Sequence, residues 1–393
     1  MAQDERVLIA GGGIAGLATA LALARRGIRS HILEQREQFS EAGAGIQIGP
    51  NGVRVLEALG AAPRLTTHIS LPEEIVVHQG GTGRVLTRLP LGNWIAERHG
   101  APYWVVHRRD LQAALLACAR ETRGVTIEAS FSVAEVKDQG DRVAVRAASG
   151  ATARGSVLIG ADGIRSRVRT ALAPDARLRF SGKAASRAPL SPEHGAALGD
   201  PASMGVWLAP GAHVVHYPIS AGAQIAVIAI VPDDRMTDDW AAANDWATLE
   251  PHLAAFAPAL RSALARAPEW RRWALFETDP LADLAKGRIA LAGDAAHPVL
   301  PFLAQGGVMA LEDAMVLADA LAAEPDDPAR ALKAYEATRR ARVDAIVATS
   351  RQNGRIFHLS GPAAIARNLA MAAVPATRLM ARYDWVYSWR PPV

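Results

Sequence analysis

Residues 287–313 combine the residue types that hold a flat, hydroxylated and anionic ligand against backbone. A strand-like run ends in Gly293 and Asp294, a proline-rich loop follows, and Gly306 and Gly307 begin an alanine-rich helix. Asp294 can accept hydrogen bonds from ligand hydroxyls, and the free N–H groups at the helix start stabilise negative charge. A reduced flavin offers both features, in its ring edge and its ribityl chain. A plain turn and helix start explain the segment equally well.

A second segment has the spacing of a dinucleotide-binding fold. The apolar run 6–10 leads into Gly11, Gly13 and Gly16 in the pattern G-x-G-x-x-G, then a helical run, and a second strand ends at Glu34. In this pattern the glycines permit a tight turn, a close approach to pyrophosphate and helix packing, while the acid holds ribose hydroxyls. An acid at this position disfavours a 2′-phosphate, so the segment predicts NAD or FAD rather than NADP.

Three further places could contact such a ligand. The small-residue loop 41–52 lets backbone pass beside a flat ring. Arg108, at a strand-to-helix junction, can reach a phosphate, although a solvated arginine explains it nearly as well. Residues 160–169 form another strand end with an acid-glycine turn, where Asp162 and Ser166 could simply cap the next helix. Two acidic turns far apart in sequence indicate that one chain folds back on one sheet.

Residues 180–230 are rich in strands and lack βα alternation, which predicts an antiparallel sheet in a separate domain. His213 and His216 fall on opposite faces of one strand, so the pair cannot bind one metal ion, and we expect no metal site. His213 and Tyr217 share a face that we expect over a pocket. A polar outer face of the sheet is an equally good interpretation.

The composition of the whole chain fits a cytoplasmic enzyme with two or three domains. It has 393 residues, of which 50% are hydrophobic, and a single cysteine, Cys118, which fits a reducing compartment. We find no charged-then-apolar leader and no apolar run long enough to span a bilayer. The net charge of +4 comes from scattered arginines, so nucleic acid is not an expected partner.

Several larger elements follow from the hydrophobic patterns. Residues 74–78 and 84–89 predict a hairpin, and residues 235–267 and 329–350 predict helices. The aromatic tail 356–393 is typical of a segment that covers a core or a subunit contact, so a homodimer is a candidate assembly.

Taken in order, the G-x-G-x-x-G fold with Glu34, the turn 160–169 and the stretch 287–313 resemble those of single-component FAD-dependent aromatic hydroxylases. These are the flavoprotein monooxygenases with the p-hydroxybenzoate hydroxylase fold, and the resemblance covers nearly the whole chain. Within the family the sequence looks like salicylate hydroxylases, 3-hydroxybenzoate 6-hydroxylases and 6-hydroxynicotinate 3-monooxygenases. The motifs that carry this similarity are GAGIQIGPNG, HRRDL, AHVVHYP and GDAAHPVLPFLAQG.

The resemblance implies an α/β fold with a Rossmann-like FAD-binding domain, an interleaved antiparallel-sheet substrate domain and C-terminal helices. The expected segments are residues 1–72, 101–178 and 278–354 for the FAD-binding domain, 73–100 and 179–277 for the substrate-binding domain, and 355–393 for a helical tail. It also implies that Asp162 and Gly163, with Ser166 and Arg169, contact FAD and NAD(P)H, and that Arg108 contacts FAD phosphate.

The full set of expected site residues follows from the motifs and the resemblance together. For FAD they are Gly11, Gly13, Ile14, Ala15, Gly16, Glu34, Gln35, Arg36, Gly45, Gln47, Arg108, Asp162, Gly163, Gly293, Asp294, Pro301, Gln305, Gly306 and Gly307. For the substrate they are His213, Tyr217, Pro301 and Phe302, and of these His213 and Tyr217 are the expected catalytic residues.

The implied reaction uses bound FAD, NADH or NADPH as electron donor, and O2 as co-substrate. A flavin C4a-hydroperoxide hydroxylates a small hydroxylated aromatic acid of the hydroxybenzoate or salicylate type. The protein keeps that intermediate dry and helps to deprotonate the substrate phenol. The alternatives are a hydroxylase of a pyridine or other heteroaromatic acid, a flavin oxidase or reductase without hydroxylation, and a flavin-binding regulator without turnover.

Two positions depart from the pattern of the relatives. The relatives carry a polar side chain in the loop where this chain has Pro301 and Phe302. Many relatives also carry an aromatic residue where this chain has Ser186, before Arg187. Both departures fall in expected pocket lining, so they bear on the identity of the substrate and not on the flavin chemistry.

Overall fold

The computed structural model describes residues 6–39, 45–236 and 242–392. Residues 41–44 of the small-residue loop and residues 237–241 of the expected helix 235–267 lie outside the described residues. No helix in the described ranges is both long and apolar enough to cross a membrane.

The described residues form strands in four sheets. In chain order the strands are β1 (Val7–Ala10), β2 (Ser30–Leu33), β3 (Gly45–Ile48), β4 (Glu74–Gln79), β5 (Val85–Pro90), β6 (Trp104–His107), β7 (Val125–Glu128), β8 (Val133–Asp138), β9 (Val143–Ala147), β10 (Thr152–Gly155), β11 (Val157–Gly160), β12 (Leu178–Leu190), β13 (Ser203–Ala209), β14 (Ala212–Ile219), β15 (Gln224–Pro232), β16 (Ala242–Asn244), β17 (Trp270–Thr278), β18 (Ala285–Lys286) and β19 (Ile289–Leu291).

Helices cover the first sheet and form the C-terminal part of the chain. They are α1 (Ile14–Arg25), α2 (Pro50–Ala58), α3 (Gly92–His99), α4 (Arg108–Glu121), α5 (Arg167–Leu172), α6 (Pro192–Gly195), α7 (Trp246–Leu249), α8 (Pro258–Leu264), α9 (Gly306–Ala323), α10 (Pro328–Phe357), α11 (Gly361–Ala373), α12 (Ala376–Ala381) and α13 (Asp384–Tyr387).

The first large sheet has six strands in the order β18-β19-β11-β1-β2-β7, and all neighbours from β19 to β7 are parallel. Its central strand β1 is buried throughout, as a parallel strand covered on both faces must be. The strands β1, β11 and β19 end at the same edge, which places the glycine turn after Ala10, the turn after Gly160 and the turn after Leu291 side by side.

The second large sheet has eight strands in the order β16-β17-β12-β15-β14-β13-β4-β5, and it is antiparallel except where β4 pairs with β13. One face packs on a cluster that includes Leu253, Phe256 and Leu260. The opposite face carries Tyr217 and Ile228 in one cluster with Val105 of β6 and with Met380 and Tyr387 of the tail. All eight strands fall within residues 74–90 and 178–278, in keeping with a domain division that we retain as a proposal.

One element prediction is wrong over part of its length. In the segment 235–267, expected to be helical, the described residues 242–267 contain the short strand β16 and the short helices α7 and α8 instead of one long helix. Pro258 begins α8, and Pro251 lies in the first turn of a short 3-10 helix at residues 250–253. Proline is tolerated in a first turn but interrupts a helix interior, because it lacks the N–H that the interior hydrogen bonds need. The α/β class and the C-terminal helices are confirmed, and the expected hairpin is present as β4 and β5.

Candidate active site

A cleft of about 990 Å³ lies where the carboxyl ends of β1, β11 and β19 meet the face of β14. It brings together most of the residues expected from the sequence. Those that line it are Gly11, Gly13, Ile14, Ala15, Glu34, Gln35, Arg36, Gly45, Gln47, Arg108, Asp162, Gly163, His213, Tyr217, Asp294, Pro301, Gly306 and Gly307. Four others lie behind the lining, namely Gly16, Gly293, Phe302 and Gln305.

The glycine turn after β1 is shaped by contacts that exclude side chains. Gly11 has a φ of 101°, and a Cβ there would lie 2.5 Å from the carbonyl oxygen of Ala161. A Cβ on Gly16 would lie 1.9 Å from the carbonyl oxygen of Gly11, so Gly16 serves helix packing and not ligand contact. No side chain caps the N-terminus of α1, which leaves its first N–H groups for a ligand.

Glu34 is buried and fixed at the end of β2. Its carboxylate accepts hydrogen bonds from the backbone N–H of Gly12, at 2.7 Å, and of Arg36, at 2.9 Å. The Gln112 side chain donates to the Gly12 carbonyl oxygen over 3.2 Å and also lines the cleft. Gln112 was not expected from the sequence, because nothing in its helix marks it apart from other polar positions.

Asp162 caps helix α5, the role that the sequence left open for it. Its carboxylate accepts from the Ser166 hydroxyl, from the N–H of Arg167 at 2.7 Å and from the N–H of Val168 at 3.2 Å. Burial raises the pKa of Asp162, and these hydrogen bonds oppose that effect. Gly163, next in the turn, has a φ of 77° and presents backbone to the cleft.

The turn after β19 is held from behind by a buried charge network. The N–H of Gly293 donates to Asp313 over 2.8 Å, and Asp313 also contacts His297 Nε2 at 2.6 Å and Arg339 Nε at 2.7 Å. Burial alone raises the pKa of Asp313, but His297 and Arg339 lower it to about 2. This network fixes Gly293 outside the lining and leaves Asp294 half-buried in the cleft.

Helix α9 begins at the cleft without a side-chain cap. Gln305, just before it, is buried and accepts from the Asn51 side chain over 3.0 Å, so it supports the helix start from behind. A Cβ on Gly307 would lie 2.5 Å from Ile46 Cδ1, which shows how closely the facing segment approaches this backbone.

The cleft therefore has the features that FAD requires. Two helix N-termini without side-chain caps, those of α1 and α9, line it together, and each can stabilise negative charge. The carboxylates of Glu34 and Asp294 stand beside them as acceptors for ligand hydroxyls. One of these two anion-binding helix N-termini fits a pyrophosphate, and the other fits the edge of a reduced flavin ring.

His213, Val215 and Tyr217 point from β14 into the other end of the cleft. The His213 side chain is 1% exposed, and its Nδ1 lies 2.8 Å from Nε2 of His358. Burial lowers the pKa of His213 well below its ordinary value, and His358 and Lys183 add to this. At neutral pH the imidazole is thus an uncharged base beside the cavity.

Phe302 does not line the cleft, which corrects the expectation that it is a direct wall residue. Its ring stacks edge-on against His213 at 5.5 Å and against His358 at 5.7 Å, measured between ring centroids. A Cβ on Gly354 would lie 2.6 Å from this ring, so Phe302 is wedged between the strand β14 and helix α10. Its placement supports His213 from behind.

Tyr217 and Tyr103 use their hydroxyls to fix the segment of β3. Tyr217 Oη donates to the Gly45 carbonyl oxygen over 2.8 Å, and Tyr103 Oη donates to Gln47 Oε1 over 2.8 Å. Burial raises the pKa of Tyr217 to about 12, and Arg187 opposes this. The phenol stays protonated at neutral pH, and its ring forms part of the cavity wall.

Arg187 places a positive charge in this otherwise apolar wall. Its guanidinium lies 4.3 Å from the ring centroid of Trp273, a cation–π contact, and it lines the cleft beside Tyr217. Burial lowers the pKa of Arg187 to about 10, with Tyr217 opposing and Arg108 adding to the effect. The sequence comparison singled out Arg187 but did not place it in the site, because one arginine in a strand carries no orientation signal.

Comparison with known proteins places the fold and site in context. Residues 4–350 match the family described as FAD binding domain. The chain is 34% identical to 3-hydroxybenzoate 6-hydroxylase of Polaromonas naphthalenivorans, over 98% of this chain and 96% of that protein. It is 36% identical to a 3-amino-4-hydroxybenzoate 2-monooxygenase of Streptomyces platensis, over 98% and 96%. The crystal structure of Klebsiella pneumoniae HpxO with FAD and uric acid superposes with a TM-score of 0.86 at 26% identity, over 96% and 95% of the two chains.

Proposed function

Since the chain belongs to the FAD binding domain family and is an FAD-dependent aromatic monooxygenase, we propose that its substrate is a small hydroxylated aromatic acid. NAD(P)H is the electron donor and O2 the co-substrate. The observation that carries the proposal is that His213, Tyr217 and Arg187 line the same cleft as the two uncapped helix N-termini. A base and a buried cation there match the hydroxyl and the carboxylate of such an acid.

The residues expected to bind FAD fall into groups along the cleft, and each group suits a different part of the cofactor. We assign the pyrophosphate to the N-terminus of α1 and Arg108, the ribose to Glu34 and the ribityl chain to Asp294. The N–H groups at the start of α9, at Gly306, would stabilise the negative charge that the flavin ring gains on reduction. When bound, FAD supplies the redox chemistry that links NAD(P)H, O2 and the aromatic ring.

His213 is the residue that we assign to the substrate hydroxyl. A neutral imidazole can accept the phenol proton, and deprotonation makes the ring a better nucleophile. Its burial beside Phe302 and Phe357 keeps water away from the base. Tyr217 holds the strand segment at Gly45, so it shapes the wall and does not titrate.

Arg187 is the residue that we assign to the substrate carboxylate. A buried guanidinium and a carboxylate form a charge-assisted pair that can be bidentate. The Arg187 Nε has no hydrogen-bond partner among the described residues, so the side chain retains a free donor. Pro301 lines the same region, and its side chain has no polar group, whereas the relatives are expected to carry a polar side chain in this loop. We therefore assign the polar contacts with the substrate to His213 and Arg187.

The test is a substrate screen on the purified, FAD-loaded enzyme. Hydroxybenzoates, aminohydroxybenzoates and hydroxypyridine acids are assayed for stimulated oxidation of NADH and of NADPH, with product identification by mass spectrometry. A hydroxylated product from one hydroxybenzoate supports the proposal. If only a heteroaromatic acid gives a hydroxylated product, the substrate class is heteroaromatic acids and not hydroxybenzoates. If every compound yields only hydrogen peroxide, the result favours an oxidase. Bound FAD that neither donor reduces favours a regulator.

We also propose a homodimer, through helix α11. The tail aromatic Tyr387 is 6% exposed and packs within its own chain, whereas Ile365 and Leu369 of α11 are 61% and 63% exposed. Large exposed apolar side chains on one helix are typical of a contact surface. Light scattering after size-exclusion chromatography, on the wild type and on Leu369→Glu, tests this. A wild-type monomer contradicts it.

A cytoplasmic location is a separate proposal. It is supported by the single cysteine, Cys118, which is a free thiol and so fits a reducing compartment. Fractionation of the native host with an antibody against the protein tests it, and recovery outside the cytoplasmic fraction contradicts it.

A further inference from the structure

The imidazole of His213, which faces the cleft, has the imidazole of His358 directly behind it. His213 Nδ1 and His358 Nε2 are 2.8 Å apart, and the ring centroids are 5.0 Å apart. His213 comes from β14 and lines the cleft, whereas His358 follows the C-terminal end of α10 and is not part of the lining. The pair therefore runs from the cavity wall to a half-buried position behind it.

The surroundings of the pair are apolar and cationic. The rings of Phe302 and Phe357 pack at 5.5 Å and 5.3 Å from the His213 centroid. Lys183 on β12 and Arg367 on α11 are the charged groups that act on His358. Tyr217 and Arg187 face His213's side of the cleft. Among the described residues, no carboxylate bonds either imidazole.

These surroundings keep both rings uncharged at neutral pH. Burial, Lys183 and Arg367 lower the pKa of His358 to about 4, and burial, His358 and Lys183 lower the pKa of His213 well below its ordinary value. A neutral imidazole has one N–H donor and one lone-pair acceptor. The contact of 2.8 Å between the pair therefore joins an N–H of one ring to the lone pair of the other.

The second ring is also less enclosed than the first. His358 is half-buried, at the junction between α10 and α11, while the His213 side chain is almost completely buried. Backbone contacts fix this junction, because the Gly211 N–H donates to the His358 carbonyl oxygen over 3.2 Å and Arg367 donates to the Phe357 carbonyl oxygen over 2.8 Å. The imidazole of His358 is thus held in place between His213 and the exterior.

We propose that His358 is the second member of a proton relay, through which His213 passes the proton of the substrate hydroxyl out of the cleft. This rests on the proposed function, in which His213 accepts that proton. If the proton stayed on His213, the charged ring would have no counter-ion beside it among the described residues. Onward transfer therefore removes a buried charge that these residues do not neutralise.

In the relay each imidazole gains one proton and loses one. The substrate O–H bond breaks and the proton bonds to His213 Nε2, while the Nδ1 proton of His213 moves to Nε2 of His358. His358 then releases its own Nδ1 proton to water. Both rings end neutral with their tautomers exchanged, and the reverse sequence returns a proton to the hydroxylated product.

His358 could instead be a passive partner that only orients His213. A passive partner is replaceable by any side chain that keeps the hydrogen bond, whereas a relay needs a group that both gains and loses a proton. His358→Gln keeps a donor and an acceptor near His213 but cannot pass a proton on, and His358→Ala leaves space for added imidazole. The rate of proton release separates the two roles.

The experiment follows proton release after the FAD-loaded enzyme is mixed with 3-hydroxybenzoate, or with the acid that gives product in the screen. A stopped-flow instrument and a pH indicator dye in weak buffer record the rate. We expect His358→Gln to slow release at least tenfold with the dissociation constant for the acid within twofold of wild type. We expect added imidazole to restore the rate in His358→Ala.

The outcomes distinguish a failure of the relay from a failure of the proposed function. If His358→Gln releases the proton at the wild-type rate while His213→Ala abolishes release, the relay is overturned and the proposed function stands. Product formation by a wild type that releases no proton overturns the relay in the same way. If no acid in the screen gives a hydroxylated product, the proposed function falls, and the relay falls with it. Should His358→Ala fail to fold, His358→Gln alone decides.

Discussion

Arg169 and Asp294 are 125 positions apart in sequence, yet the guanidinium of Arg169 donates to the carbonyl oxygen of Asp294 over 3.2 Å. The same side chain donates to Ala295 at 3.1 Å and to Ile164. Arg169 thereby ties the acidic turn after β11 to the acidic turn after β19. The two turns lie next to each other because their strands are parallel neighbours.

Removal of this tie should weaken FAD binding. Arg169→Ala leaves buried carbonyl oxygens without a donor, which costs about 1–3 kcal/mol, and it frees the turn that carries Asp294. We expect the dissociation constant for FAD to rise about tenfold, which corresponds to about 1.4 kcal/mol. Quenching of flavin fluorescence measures it. Arg179→Ala, an exposed arginine paired with Asp279, is the matched control and should bind FAD as wild type does.

Glu34→Gln tests the acceptor at the end of β2. The substitution replaces one carboxylate oxygen by an NH2 group that meets a backbone N–H, either that of Gly12 or that of Arg36. Hydrogen bonds to charged groups contribute roughly 1.5–3 kcal/mol, so FAD affinity should fall by about tenfold or more. Isothermal titration of the apoprotein with FAD provides the measurement. Glu37→Gln, at an exposed position nearby, should change it little. Equal affinity of both variants contradicts the assignment.

His213→Ala should strongly slow hydroxylation while FAD stays bound. General base catalysis contributes about 10²–10⁴-fold in rate, so we expect kcat for hydroxylation to drop by about that range. The absorbance spectrum of bound flavin and product analysis are measured on the same sample. His252→Ala, at an exposed histidine of the same domain, should keep full activity. A His213→Ala enzyme that still forms product at the wild-type rate removes His213 from the mechanism.

Arg187 should act on the carboxylate of the substrate. Arg187→Gln removes the charge and Arg187→Lys keeps it, so we expect KM for the acid to rise about tenfold or more in the first and less in the second, because lysine forms no bidentate pair. The methyl ester of the same acid is the decisive comparison. Its KM should be similar in wild type and Arg187→Gln, and an equal loss for acid and ester indicates a structural role.

The stability of the protein should fall on acidification below pH 6.5. The pKa of His358 is lowered to about 4, mainly by burial, so the unfolded chain binds a proton between pH 6.5 and 4 that the folded chain excludes. This contribution is fully present above pH 6.5 and is lost as the pH falls through the folded pKa. Calorimetry at pH 7.5 and pH 5 should show a smaller decrease in Tm for His358→Gln than for the wild type. Parallel decreases contradict the assignment.

The sequence predicts the cofactor end of the cleft better than the substrate end. Gly11 and Glu34 sit at fixed spacings along one βαβ unit, so a local pattern determines where they meet. Asp294 is predictable for the same reason. The motif also predicts the packing role of Gly16. The sequence does not show that Gln305 supports α9 from outside the cleft, because its partner Asn51 lies in a distant segment.

The substrate end depends on contacts between distant segments. His213 was found from the period of its strand, which places it on the face of Tyr217, but its partner His358 is 145 positions away and belongs to no motif. The expectation that Phe302 lies in the wall comes from the resemblance, because the relatives carry a polar side chain at Pro301 or Phe302. Only the packing of α10 against β14 shows that the phenylalanine ring turns to the back of the histidine.

Helix α2 beneath the cofactor cleft depends on residues more than 300 positions further along the chain. The buried guanidinium of Arg54 donates to the Tyr387 carbonyl oxygen at 2.9 Å, and Arg342 donates to the Val386 carbonyl oxygen at 2.8 Å. During synthesis on the ribosome, the segment that carries Arg54 emerges long before residues 386–387 exist. We therefore expect a nascent chain to bind FAD only once residues 386–387 have left the ribosome and can accept these hydrogen bonds.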